Sequence, residues 1–329
     1  VDLGWFRGNE AVSGGAIANL AGAQSIFFDS LVSGNMAQIG GGGMYNDASS
    51  PELTNITVAS NRDSGSGGGM YNVNASNPII RNTILWLNSH TIRNDGGSNP
   101  LVSYSLLENC GYSGFFDPAC GSDAGGNIEP NDPSDKIFVA PIDPSAAPST
   151  AGDFHLDINS PAVDVGNNAD NNHYAALGGV EDSITPIAPR KLDGNGDGTV
   201  TIDMGAFEAP AAGRIITVKE TQPAGSDEGF AFILTDTVGI GHSFVLLDGE
   251  SYDPGNLPPG TYSITETVDY EWYIESVTCE DSNEPTDITA ANIGTTDIDP
   301  ANIDLQGGQT ITCTFVNRPK VVVTESYLV

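Results

Sequence analysis

The stretch Leu53-Thr-Asn-Ile56-Thr-Val58-Ala-Ser-Asn61, followed by Gly67-Gly68-Gly69-Met70-Tyr71-Asn72, decides the fold because it recurs. Asn9, Asn35, Asn61, Asn88 and Asn109 stand 26, 26, 27 and 21 residues apart. Three positions before each lies Phe6, Val32, Val58, Leu85 or Leu106, and eight before lies Val1, Phe27, Leu53, Ile80 or Leu101, all apolar. Glycine clusters at 14–15, 40–43, 67–69 and 96–97 follow the first four. Self-similarity at such a period describes stacked supersecondary units that bury a continuous core between neighbours. At ~3.3 Å per strand residue, one unit has a contour of roughly 85 Å, enough for a coil of two or three short strands and their turns. The Asn is then expected at a corner in the left-handed conformation, its amide bonded to the Asn of the next coil, and the glycine runs at a second corner. Leu53-x-x-Ile56-x-Val58-x-x-Asn61 also satisfies the first half of a leucine-rich repeat. The second half differs: turn chemistry, with Ser50-Pro51 or Asn77-Pro78, stands where spaced leucines belong.

Composition bounds the rest. The chain of 329 residues is long enough for two domains. Its 43 acidic and 11 basic residues give a net charge of -32, which excludes nucleic acid and anionic membrane as partners. Clustered carboxylates invite divalent cations instead. Forty Gly and twenty Pro, without a long apolar stripe of helical period, make the class all-β. The four cysteines fall as Cys110 with Cys120 and Cys279 with Cys313, neither at C-x-x-C spacing. Two local disulfides fit an oxidising, extracellular or cell-surface location. Without a signal peptide, a transmembrane run or an initial Met, the expectation is a processed or excised part of a secreted protein. Its first rung, residues 1 to 9, is expected to present an open edge as a joint.

The unit Gly-Gly-Gly-Met-Tyr-Asn-x-x-x-Ser-Pro-x-(Leu/Ile)-x-Asn resembles the right-handed parallel β-helix repeats of bacterial surface proteins, of the polymorphic outer-membrane and choice-of-anchor type. The resemblance implies β-helix coils over 1–110. Over 111–209 it implies an excursion followed by a C-terminal capping segment, carried by Ser160-Pro-Ala-Val163-Asp164-Val-Gly166 and Asp203-Met-Gly-Ala-Phe207-Glu208. The capping segment is expected to close the exposed end of the stack.

After the linker Ala209-Pro-Ala-Ala-Gly213, six strand-like runs begin near Ile215, Phe230, Ser243, Thr261, Trp272 and Thr310. Residues 214–319 resemble the prealbumin-like, Cna B-type β-sandwich used as a stalk unit in surface proteins. The expected fold is therefore all-β, a right-handed parallel β-helix followed by an immunoglobulin/prealbumin-like β-sandwich. Lys219, Glu266 and Asn317 match the places where such domains keep a Lys, a catalytic Glu and an Asn that condense into an internal isopeptide bond. That chemistry needs a Lys held neutral by burial and a Glu held protonated. The alternative is an ordinary set of alternating strand residues with Lys219 in solvent. Residues 320–329 repeat the start of the sandwich: Val321-Val322-Val323-Thr324-Glu325-Ser matches Ile216-Thr-Val-Lys219-Glu-Thr. With Tyr327 they read as an assembly strand, either donated to a neighbouring copy or opening a further domain.

Asp193-x-Asn195-x-Asp197-Gly198 supplies oxygen ligands at positions 1, 3 and 5 of a calcium loop, with Asp203 as the nearby acid in place of the closing one, since position 12 is Met204. An Asx-rich turn is the alternative. Parallel β-helices also include polysaccharide lyases and hydrolases, but Asp29, Asp47, Glu52, Arg62, Asp63, Arg81 and Arg93 share no common offset. The function expected is that of a non-enzymatic structural module of a surface adhesin or fibre. Self-association and surface glycans are its partners, and a carbohydrate-binding or polysaccharide-degrading protein is the alternative.

Overall fold

The computed structural model describes residues 1–65, 67–112, 115–130, 136–170, 175–177, 187–236, 239, 241–281, 288–289 and 302–320. The chain divides into two compact units, Val1–Ala209 and Pro210–Val329. Apart from three 3₁₀ turns, every regular element among the described residues is a β-strand.

The first unit is a parallel β-helix with three sheets. One stacks Trp5–Arg7, Ile26–Ser33, Glu52–Ala59, Ile79–Arg81, Leu101–Ser103 and Ser122–Asp123 in chain order, a second Glu10–Ser13, Met36–Gly40 and Arg62–Asp63, and the third Ile17–Leu20, Met44–Asp47, Met70–Val73 and Ile92–Asn94. The register sets Phe6 beside Val32, Val32 beside Val58, Val58 beside Leu85 and Leu85 beside Leu107. These side chains, with Phe27, Leu53, Ile80 and Val102 and with Met44 and Met70 from the third sheet, fill the interior.

The fifth coil corrects the repeat count. Leu106, expected inside, is one place out of step; Leu107 is the interior residue, and Leu106 faces outward under a covering segment. Adjacent apolar pairs, Leu101-Val102 and Leu106-Leu107, made the two registers indistinguishable by hydrophobicity, yet a shift of one residue exchanges the faces of a strand. The stack also runs further than expected, since Ser122–Asp123 and Ile128 pair with the fifth coil.

Corners turn at left-handed residues in columns. Gly8, Gly34, Ser60, Leu87 and Asn109 have φ of 66, 61, 56, 55 and 57°, and Leu3, Asp29, Asn55, Asn82 and Tyr104 form a second column. The left-handed residue is thus the one preceding Asn9, Asn35, Asn61 and Asn88, not the Asn itself. At the glycine corner the constraint is close approach. A Cβ on Gly42 would lie 2.2 Å from the carbonyl oxygen of Arg62, and one on Gly15 2.3 Å from that of Gly42.

The segment expected to cap the end lies instead along the side of the stack. Ile137, Phe138, Phe154, Leu156, Val163, Met204 and Phe207 pack on Leu31, Ala59, Ile84 and Leu106, the outward residues of four successive coils. An end cap would touch one rung; this segment is a lateral cover.

The second unit is a sandwich. Its five-stranded sheet runs Ser251–Tyr252, Arg214–Thr221, Thr310–Pro319, Trp272–Asp281, Ile288–Thr289, and its four-stranded sheet runs Gly241–Leu246, Phe230–Asp236, Gly260–Thr267, Ile303–Leu305. All six expected strands are present, and three short ones are added among the described residues. First and last strands pair in parallel, Arg214 beside Thr310 through Thr221 beside Asn317. Alternation on Arg214–Thr221 sends Ile215, Thr217, Lys219 and Thr221 inward, where Phe230, Phe232, Ile264, Cys313 and Phe315 make the core.

Candidate functional site

Lys219 and Asn317 reach the core because strand alternation gives them no other direction. Both lie on inward positions of the paired first and last strands, and Glu266 arrives on an inward position of Gly260–Thr267 in the opposing sheet. All three are wholly buried, each at 0 % exposure, so the alternative of a solvated Lys219 does not hold. Lys219 Nζ lies 3.5 Å from Glu266 Oε1, and Asn317 Nδ2 donates to the same oxygen at 2.7 Å. The ammonium also donates to the carbonyls of Glu220 at 2.9 Å and Phe315 at 3.1 Å, and it stands 4.3 Å from the centre of the Phe230 ring. Among the described residues Glu266 Oε2 and Asn317 Oδ1 have no hydrogen-bond partner.

The electrostatics follow from burial. Loss of water pulls Lys219 down to about 8 against the pull of Glu266, and pushes Glu266 up to about 7 against the pull of Lys219. The pair thus passes readily between an ion pair and a neutral amine beside a protonated acid. The amide of Asn317, turned over, would bring its Oδ1 to a Glu266 protonated on Oε1. Four residues before Asn317, Cys313 is disulfide-bonded to Cys279, tying the last strand to its other neighbour.

In the first unit the ladder joins four of the five expected asparagines. Asn9, Asn35 and Asn61 each donate Nδ2 to Oδ1 of the next, Asn35, Asn61 and Asn88, at 2.9, 2.9 and 3.0 Å. The backbone amides of Asn9, Asn35 and Asn61 donate to the same oxygens. Asn109 is not a member. The step from the fourth coil to the fifth is 22 residues, as Ile84 beside Leu106 shows, so Asn88 is followed by Cys110, which is disulfide-bonded to Cys120. Asn109 takes the left-handed corner and gives its amide to Glu129.

Sequence reading missed two features. A second buried ladder runs Asn19, Asn46, Asn72, Asn94 on the third sheet; the Asn closing Met44-Tyr-Asn46 and Met70-Tyr-Asn72 was its visible signal. The other is Arg190, 1 % exposed under the cover, with Nε 3.2 Å from Asp29 and Nη1 3.2 Å from Glu208. Nothing in its neighbourhood of sequence marks it. Burial first, then the adjacent Asp203, pushes Glu208 up to about 9, and burial pushes Asp203 up to about 7.

The proposed calcium ligands do not close a cage. Asp193 accepts the amides of Asp197 and Gly198, Asn195 that of Asp197, and Asp197 that of Thr199, the bonding of an Asx-rich turn. Asp203 is buried and committed to the amides of Asp164 and Ala209. Among the described residues no three His, Cys, Asp or Glu side chains are grouped to hold a metal. Val321, Val322, Val323, Glu325 and Tyr327 lie outside the described residues.

A family described as prealbumin-like fold domain matches residues 215–319, the sandwich. Among solved structures the chain aligns with the major pilin of Streptococcus pyogenes at 17% identity and a TM-score of 0.27, covering 37% of this chain and 52% of that one. Two point mutants of that pilin align at TM-scores of 0.28 and 0.26, with 17% and 18% identity and the same coverage. The chain thus spans about half the length of the pilin structures it matches. No curated protein matches it.

Proposed function

We propose that the chain is a non-enzymatic structural module of an extracellular surface protein or fibre, a β-helix rod followed by a stalk sandwich sealed by its own amide bond. The observation that carries this reading is the convergence of three fully buried polar side chains on one oxygen, Glu266 Oε1, between the first and last strands. Such a group is costly to bury unless it reacts or pairs completely. In the reaction, neutral Lys219 Nζ attacks Cγ of Asn317 while protonated Glu266 polarises Oδ1. Glu266 then moves a proton from Nζ to Nδ2, the Cγ–Nδ2 bond breaks, and ammonia leaves as the Nζ–Cγ amide forms. Intact mass tests it: the chain should weigh ~17 Da less than its sequence, and Glu266→Ala should restore that mass. A wild-type chain at full mass overturns the bond.

The finer reading joins copies head to tail by donating Val321 to Val329 into a neighbour. Deleting residues 320–329 should then abolish filaments in electron micrographs; filaments that survive dismiss it. A second reading, glycan binding, draws support from Tyr45 and Tyr71, on matching outward positions of consecutive coils with rings 5.7 Å apart and Arg93 5.1 Å over Tyr71. Retention on a neutral glycan array that Tyr71→Ala leaves unchanged argues against that face.

A further inference from the structure

We infer that Phe116 and the turn Asp117–Cys120 form the end cap of the β-helix, and that the Cys110–Cys120 disulfide makes this cap a redox-sensitive closure. Oxidised, the last coil is covered; reduced, it opens while the coils before it stay folded. The inference concerns the unit Val1–Ala209 and does not rest on the Lys219 bond. A stack of repeats needs its terminal rung covered, because that rung presents interior side chains and unpaired strand edges. The segment that packs on Leu31, Ala59, Ile84 and Leu106 lies along the side of the stack and leaves this end to another element.

Both polar ladders run into the turn. The ladder from Asn9 to Asn88 stops where its next position is Cys110. The ladder of the third sheet stops at Asn94, whose Nδ2 donates at 2.9 Å to the carbonyl of Ala119 in place of a further Asn. The disulfide therefore joins the place where one column ends to the residue beside the end of the other. Its two cysteines, 2% and 5% exposed, belong to the interior cluster with Val102 and Leu107, and Phe116 packs against that cluster. The turn lies against Ile92–Asn94, the last strand of the third sheet among the described residues. It is shaped by the Asp117 carboxylate, which accepts the amide of Ala119 at 2.8 Å, and tied down by the amide of Asp117, which donates to the carbonyl of Cys110 at 2.7 Å.

The covalent bond carries most of the hold. Phe115 is 74% exposed, Asp117, Pro118 and Ala119 are exposed and Phe116 is half-buried, so Cys120 is the one buried side chain from Phe115 to Cys120. Such a stretch gains little from apolar burial. The cross-link keeps it in place by denying the open chain its freedom. Inner coils need no such help, since each has a neighbour on both sides, and loss of the cap frays the end alone.

Opening is thiol–disulfide exchange with a dithiol. One thiolate of the reductant attacks a cysteine sulfur, the S–S bond breaks as a mixed disulfide forms, and the second thiolate releases it as a cyclic disulfide. Cys110 and Cys120 end as thiols, having gained two electrons and two protons. Oxidising surroundings thus keep the rod end closed, and a reducing compartment leaves it open.

The test is amide hydrogen exchange of the full chain before and after native treatment with dithiothreitol, with alkylation and peptide mass to count the thiols at Cys110 and Cys120. Both cysteines should alkylate. The amides of Asp117, Cys120 and Ser122, which donate to the carbonyls of Cys110, Asp117 and Pro100, should then exchange at least about tenfold faster, while those of Asn35 and Asn61 keep their rates. The double variant Cys110→Ala, Cys120→Ala should show the same pattern without reductant. Alkylated cysteines with unchanged exchange at 117–122 overturn the inference, because the cap then holds without its bond. Faster exchange at Asn35 and Asn61 as well makes the disulfide a staple of the whole helix and overturns it too, and cysteines that stay oxidised under the dithiol show that the closure is not redox-sensitive. Should the double variant fail to fold, the reduced wild type decides alone.

Discussion

In the unit Val1–Ala209 the buried amide of Asn61 meets Asn35 on one coil and Asn88 on another, whereas in Pro210–Val329 the buried amide of Asn317 meets a single carboxyl group. The ladder satisfies each of these Asn side chains with its own copy one coil away, so satisfaction propagates along the stack. The sandwich has no such copies. Its polar core gathers on one carboxyl group, and among the described residues Glu266 Oε2 and Asn317 Oδ1 have no hydrogen-bond partner. A buried group that repetition does not satisfy needs a partner of another kind, and this difference sets the order of the expected effects.

The largest belongs to the sandwich. Asn317→Ala removes the proposed cross-link between strands that bracket a loop of roughly 100 residues, which on chain-entropy grounds costs about 4 to 5 kcal/mol. Calorimetry of the full chain should show the sandwich transition fall by roughly 20 °C, while the transition of the β-helix stays in place. Equal movement of both transitions would erase the contrast. Formation of the bond should also depend on pH in a defined way. Lys219 must be neutral, which favours pH above about 8, and Glu266 must hold its proton, which favours pH below about 7. The rate of mass loss as newly synthesised chain folds therefore peaks between these values and falls about tenfold per unit beyond either.

Next comes the place where the first unit departs from repetition. Arg190→Met removes the buried cation from beside Asp29, a loss of about 3 to 5 kcal/mol for a broken buried pair. Limited proteolysis within 137–209 should report it. Alkali should loosen the same cover. Glu208 and Asp203 both titrate above their ordinary range, so their contribution is whole at acid pH and is lost as pH rises through about 7 and then about 9. Faster cleavage at pH 9.5 than at pH 6 is expected, and the reverse order would place the lock elsewhere.

Within the ladder, Asn61→Ala and Asn109→Ala separate repetition from resemblance. Asn61 accepts two bonds and donates two, to Asn88 and the carbonyl of Val32, so its loss should cost about 2 to 4 kcal/mol. Asn109 belongs to no rung, and replacing it costs only the left-handed backbone, about 1 kcal/mol. Chemical denaturation of the two variants measures the gap.

That pair also marks how far the sequence could be read. Period, class and the four true rungs were legible because Phe6, Val32, Val58 and Leu85 repeat at fixed offsets from Asn. The fifth rung was not, since Leu106 and Leu107 are equally apolar and only hydrogen bonding distinguishes them. Lys219, Glu266 and Asn317 were legible as positions on strands, but their shared oxygen depends on how two sheets face each other. Arg190 was invisible, because a charge becomes a core residue only when distant acids such as Asp29 arrive beside it.

The smallest effect expected is that of calcium on the Asp193 loop. The sequence offers Asp193, Asn195, Asp197 and Asp203, yet the first three already hold amides of their own turn and the fourth is buried under the cover. Binding must exchange those amide bonds for a cation with an incomplete ligand set, so affinity in the weakest range of calcium loops, about 1 mM, is the most the site can reach. At 5 mM calcium such a site stabilises by about 1 kcal/mol or less. The melting midpoint of the β-helix should therefore move by no more than about 4 °C between EDTA and 5 mM calcium. A larger shift would mean that the turn gives up its own amides, and then Asp193→Asn should remove it; no shift at all leaves the loop to its hydrogen bonds and makes this turn of the cover, like Asn109 in the coils, a feature that the sequence pattern alone had marked out.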